Sequence, residues 1–138
     1  MKEKIFALIV LFGGLFLSIT AFNDSRDYSK VLSMGVDAMS EPITQYMEKT
    51  KRGAVIAYNI SPSFKAKDGM IYTCHGDVAK EIIDRLRDNP IIKIRYLINS
   101  PQICMIEGQD NQNFWFVITI GLVMALGSAV YIYNRSNL

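Results

Sequence analysis

The sequence predicts a membrane α+β protein, with two transmembrane helices flanking a small β-rich domain that carries one short helix. Three observations carry that prediction. Residues 5–22 and 114–133 are apolar and contain no charged side chain. Each approaches the roughly 20 residues that cross a hydrocarbon core about 30 Å thick. The segment between them is polar and long enough for one domain of modest core, not two. The chain thus divides into a short tail and first span (1–22), a central domain (23–113), and a second span with its tail (114–138).

Charge is unevenly placed. Of 15 Lys/Arg and 13 Asp/Glu, all but Lys2, Lys4, Arg135 and Glu3 lie in the central segment, which is neutral. No basic patch dominates, which argues against nucleic acid as the main partner. Positive residues in short flanks favour the cytoplasmic side of a membrane. Both termini are therefore expected inside and the domain outside, which in a bacterium means the periplasmic or extracellular face of the inner membrane. The first stretch also resembles a secretory signal: basic Lys2-Glu3-Lys4, an apolar core, then Ser18-Ile19-Thr20-Ala21. Cleavage after Ala21 would set bulky Ile19 where a small residue is wanted, which favours a retained anchor.

Small residues recur at helical spacing in both spans. Ala7, Gly14, Ser18 and Ala21 share a face of the first, and Gly121, Ala125, Ser128 and Ala129 a face of the second. Such faces let helix backbones approach closely in lipid. Two readings stay open: the spans pack on each other, or these positions dock the chain onto a larger membrane protein. Trp115, Tyr131 and Tyr133 stand near the ends of the second span, as interfacial anchors do.

Within the domain, residues 23–37 read as a polar lead-in with a short amphipathic helix marked by Tyr28, Val31, Leu32 and Met34. Residues 38–46 contain Pro42, so a strand there belongs at an edge. Residues 48–53 form a polar turn, and 54–60 have strand composition. Lys67-Asp68-Gly69 is the clearest hairpin signal, since glycine supplies the positive φ such turns demand. Residues 70–74 return as a strand. Asp77 is placed to cap a helix over 78–87, whose Val78, Ile82, Ile83 and Leu86 form one apolar face. In 91–97, Ile92, Ile94 and Tyr96 alternate with Lys93 and Arg95, the pattern of a half-buried strand. Asn99-Ser100-Pro101 turns the chain into a last strand over 103–106. Five short strands with one helix before the fourth suit a small, strongly curved SH3-like or OB-like sheet.

From Asp68-Gly69 through the short helix to Ile92-Lys93-Ile94-Arg95-Tyr96-Leu97 and Asn99-Ser100-Pro101, the chain resembles a widespread bacterial family of small two-span proteins classed as a domain of unknown function. The resemblance covers about half of the domain and the flanking spans. It implies an extracytoplasmic β-domain and carries no catalytic residue set. The chain departs from the family pattern at Asn89-Pro90, where the family shows glycine.

Cys74 and Cys104, the only cysteines, both fall on expected strands of an exported domain. Two cysteines in an oxidising compartment often pair, here closing a loop of about 30 residues worth roughly 3 kcal/mol. Two separate buried thiols are the alternative. Cys74-His75-x-Asp77 hints at a metal site or activated thiol, but zinc needs three or four converging ligands and this chain has one histidine. An ordinary turn histidine is favoured, and no catalytic, cofactor-binding or metal-binding residue is assigned. Gly69, Gly76 and Gly108 are isolated and form no phosphate loop, and no serine sits in a GxSxG-like setting. Arg85, Arg87, Lys93 and Arg95 offer a basic face that Asp84 and Asp88 balance. Neither span holds an ionisable group that would mark an ion path.

The sequence thus favours a non-enzymatic accessory subunit of a larger bacterial inner-membrane complex. It would dock by its helices and brace its partner through edge strands at 38–46 or 103–106. A self-sufficient, membrane-tethered, immunity-like binding module is the alternative, and a small redox or metal enzyme around Cys74 and His75 ranks third.

Overall fold

The computed structural model describes residues 2–109 and 113–136. The chain divides into two compact units: Met1–Arg26 with Gln112–Leu138, and Asp27–Asn111. The first unit holds most of one long apolar helix and all of another, the end of the first helix belonging to the second unit. Helix α1 runs over Lys2–Met34, and α3 over Phe114–Ser136. Both are long and apolar enough to cross a membrane.

The separate amphipathic helix expected over 23–37 is instead the last part of α1. No glycine or proline interrupts residues 15–34, so nothing breaks the hydrogen-bond ladder before Gly35. Gly35 donates its N–H to the Val31 carbonyl at 3.0 Å, closing the final turn. A Cβ on Gly35 would collide with that carbonyl oxygen and stand 2.8 Å from Arg95 Cγ, so glycine is required there.

The second unit contains eight strands: β1 (Val36–Met39), β2 (Met47–Lys51), β3 (Ala54–Ile60), β4 (Ser63–Lys65), β5 (Ile71–Thr73), β6 (Gly76–Val78), β7 (Lys93–Leu97) and β8 (Ser100–Ile106). Helix α2 (Lys80–Asp88) lies between β6 and β7. The strands form three small antiparallel sheets, β1-β7-β8, β2-β3-β6 and β4-β5, rather than five strands in sequence. One core joins them. Ile60, Phe64, Ile83, Ile94, Tyr96 and Ile106 are all fully or almost fully buried in it.

Four local expectations change. The strand expected over 38–46 stops at Met39, before Pro42, because proline has no N–H to donate. Ser40 continues the contact with Ile92 by backbone and side chain instead. The expected turn at 48–53 is mostly strand β2, and only Arg52-Gly53 turns, both at positive φ as a two-residue hairpin requires. Asp77 does not cap α2. It lies in β6 opposite Asn59, and the helix starts after Ala79 with no side-chain cap. The last strand starts at Ser100 rather than 103, with Pro101 inside it at the sheet edge.

Tyr96 shows how the sheets share a core. Its ring lies 5.0 Å from that of Phe64 on β4, and its hydroxyl accepts the Lys67 N–H at 2.9 Å. Both needs of a buried tyrosine, apolar contact and a polar partner, are met by the β4–β5 hairpin. That hairpin is tightened by Asp68, whose carboxylate accepts from the Met70 N–H at 2.9 Å and the Tyr72 hydroxyl at 2.7 Å.

Candidate interaction surfaces

The small residues of α1 and α3 meet one another. A Cβ on Gly14 would stand 2.6 Å from the Gly121 carbonyl oxygen, and one on Gly121 would stand 2.7 Å from that of Gly14. No side chain fits between the backbones there. Ser18 Oγ donates to its own helix at Gly14 O (3.0 Å) and lies 3.3 Å from Ile118 O of α3. Ala7, Gly14, Ser18, Ala21, Gly121, Ala125 and Ser128 are buried, whereas Ala129 is exposed. Of the docking positions expected from sequence, all but Ala129 are therefore occupied by the intramolecular seam. One residue beyond Ser128 is a turn of about 100° around the helix, which carries Ala129 off the face.

In the β-domain, Cys74 and Cys104 form a disulfide with Cα atoms 5.9 Å apart. It ties the segment after β5 to β8. The neighbouring residues do not converge on it. His75 Nδ1 lies 2.7 Å from Ser61 Oγ, and Asp77 accepts from Lys49 Nζ at 2.5 Å and Asn59 Nδ2 at 2.9 Å. Lys49 and then Asn59 hold the Asp77 carboxyl below its ordinary range. Among the described residues no three of His, Cys, Asp and Glu gather where a cation would bind. The expected basic face is paired piecemeal: Arg85 with Glu107 at 3.5 Å, Arg87 with Asp84 at 3.7 Å, Arg95 with Asp37 at 3.5 Å.

One open surface is the β2–β3 ribbon. Every residue of β2 is exposed, and so are Ala54, Val55 and Ile56 at the start of β3. Met47 is 71% exposed and Ile56 55%, unusual for apolar side chains on a sheet that has a core to join. β2 is also the terminal strand of its sheet, so its outer row of backbone groups faces no strand. A depression of about 640 Å³ adjoins its first residue, lined by Thr44, Gln45, Tyr46, Met47, Asn59 and Ser61. The edges expected from sequence serve less well. β1 is bridged to β4 through Ser40 and Phe64, and β8 is tied by the disulfide. Sequence reasoning missed β2 because a strand exposed on both faces has no period-two pattern to read.

Comparison with known proteins returned no match to any protein-family profile, curated protein or solved structure.

Proposed function

We propose that this chain is a non-enzymatic accessory subunit of a larger bacterial inner-membrane complex. In this reading α1 and α3 span the membrane with both termini cytoplasmic, and the β-domain stands on the periplasmic or extracellular side as a small, curved SH3- or OB-like module. The single core shared by three short sheets supports that architecture. The disulfide suits an oxidising compartment. The seam between α1 and α3 needs both helices, which favours a retained anchor over a cleaved leader.

The observation that carries the reading is strand β2: exposed on both faces, unpaired along one edge, and flanked by exposed Met47, Val55 and Ile56. A partner that adds a strand there gains a ladder of backbone hydrogen bonds, with the depression beside Met47 receiving a side chain. The test is to place a photoreactive residue at Thr50 in the full-length chain, irradiate cells, and purify in mild detergent. A crosslink to a larger integral membrane protein is expected. Recovery of the monomer alone, uncrosslinked, would overturn the reading.

A second reading, a self-sufficient tethered binding module of immunity-like type, draws on one observation. The small-residue faces are already used between α1 and α3, so the helix pair is complete without a partner. Replacing both spans with an unrelated helical pair separates the two. Retained partner capture favours the module, and lost capture favours the docked subunit.

A further inference from the structure

A depression on the helical unit lies at the end that holds Lys2 and Arg135. About 530 Å³ in volume, it is walled by Phe6, Ala7, Val10 and Gly127, with Lys2, Glu3, Ser128 and Tyr131 at its mouth. The size is that of a small-molecule site. Gly127 leaves its wall unfilled, since a Cβ there would meet nothing within 4 Å. The polar groups at the mouth are nearly all engaged. Glu3 is held by Arg135 and by the Tyr131 hydroxyl, and Ser128 Oγ donates to Met124 O at 2.8 Å. Of the residues that line the depression, Lys2 is the one cation, and its ammonium meets no carboxylate among the described residues. An apolar trough with one free cation at its rim complements an anionic amphiphile, not a neutral one.

We propose that this groove binds a phospholipid with an anionic headgroup, one acyl chain lying along Phe6, Val10 and Gly127 and the phosphate meeting Lys2. The site rests on the membrane-spanning reading given above. At the end where Lys2, Lys4 and Arg135 gather, it would draw on the anionic lipids of the cytoplasmic leaflet. In a membrane, hydrocarbon is the natural filling of such a trough, because an unfilled gap forfeits the dispersion contacts open to Phe6 and Val10.

The test uses the full-length chain in nanodiscs containing equal amounts of phosphatidylglycerol and phosphatidylcholine with identical acyl chains. Lipids retained by the released protein are counted by native mass spectrometry. Retention of phosphatidylglycerol over phosphatidylcholine by about fivefold is expected, the effect of one lysine near a headgroup. Lys2→Gln should abolish that preference while lipid is still retained, and Gly127→Leu should reduce retention of both lipids. Equal retention of the two by the natural chain, or a preference unchanged in Lys2→Gln, would overturn the site. Extraction of the chain from native membranes by alkaline carbonate would instead overturn the membrane reading beneath it.

Discussion

The helical unit and the β unit solve close packing by opposite means. Between α1 and α3, contact is made by removing side chains, so that Gly14 and Gly121 bring backbone to backbone and Ser18 fills what is left. In the β-domain, contact is made by large side chains that interlock, with Phe64 against Tyr96 and Tyr72 and Ile60, Ile94 and Ile106 around them. On the membrane-spanning reading proposed above, the difference follows from solvent. Lipid tails are as apolar as leucine, so burying a large side chain between the helices gains little, and close van der Waals fit is what remains. In water the burial of each large apolar group is itself favourable by about 1.5–3 kcal/mol. The lesson is that the same word, core, has different tolerances in the two units.

The contrast can be broken first at Phe64, which is fully buried. Phe64→Ala should destabilise the β-domain by about 4 kcal/mol through the cavity it leaves. Denaturant unfolding followed by circular dichroism should show this in the β signal and the small helical share from α2, with most of the helical signal unmoved. Next comes the disulfide. The double variant Cys74→Ser with Cys104→Ser should cost about 3 kcal/mol and lower the melting temperature of the β-domain by about 15 °C, as read by calorimetry. A drop of similar size in the helical unit would show that the two units do not melt separately.

On the other side, Gly121→Val should disrupt the helix pair at a cost of about 2 kcal/mol, since the added carbons meet backbone that cannot move aside. Hydrogen exchange should quicken around residues 14–18 and 118–125 while strand protection holds. Acid gives a smaller effect, confined to the β unit. Asp77 has its pKa lowered in the folded state by Lys49, so its stabilising contribution is present above the unfolded value near 4 and lost as pH falls through the folded value. Half of the pair is in solvent, so the loss should stay under about 1 kcal/mol and shrink in Lys49→Met, with the Asn59 hydrogen bond holding the remainder. The smallest expected change in stability, within about 0.5 kcal/mol, is for Ile56→Thr on the ribbon, which should nonetheless weaken the photocrosslink from Thr50.

How much of this could be read beforehand depends on whether a residue's environment leaves a pattern. β3 was legible over its whole length because a β-branched run follows a glycine turn, and β7 because Ile92, Ile94 and Tyr96 alternate with charged residues. The turn at Gly69 was legible from its need for positive φ. β2 and β6 were not: the first has no buried face, and the second is three residues long and holds the very aspartate that reads as a helix cap. The continuity of α1 was present in the sequence as a missing breaker, an absence that hydropathy masks when polarity rises after Phe22. The helix seam was legible as a set of small residues, but spacing alone could not say whether the other half of the contact lay in the same chain. The lipid-sized groove left no pattern at all, because it is defined by which charges at its mouth already have partners.

The arrangement of β1, β7 and β8 has a mechanical consequence. β1 and β8 lie on either side of β7 and run parallel to each other, with Val36 level with Cys104 across Tyr96, and Ala38 level with Ile106 across Ile94. The chain enters this sheet through β1 and leaves it through β8. Pulling the two ends of the domain apart therefore slides β1 and β8 in opposite directions along β7. The load falls on all the cross-strand hydrogen bonds together instead of opening them one after another from an end. Should that sheet yield, the bond between Cys74 and Cys104 still withholds a loop of 30 residues, about 100 Å of extended chain. The domain is built as a short, stiff link: slow to give under tension, and limited in how far it can stretch.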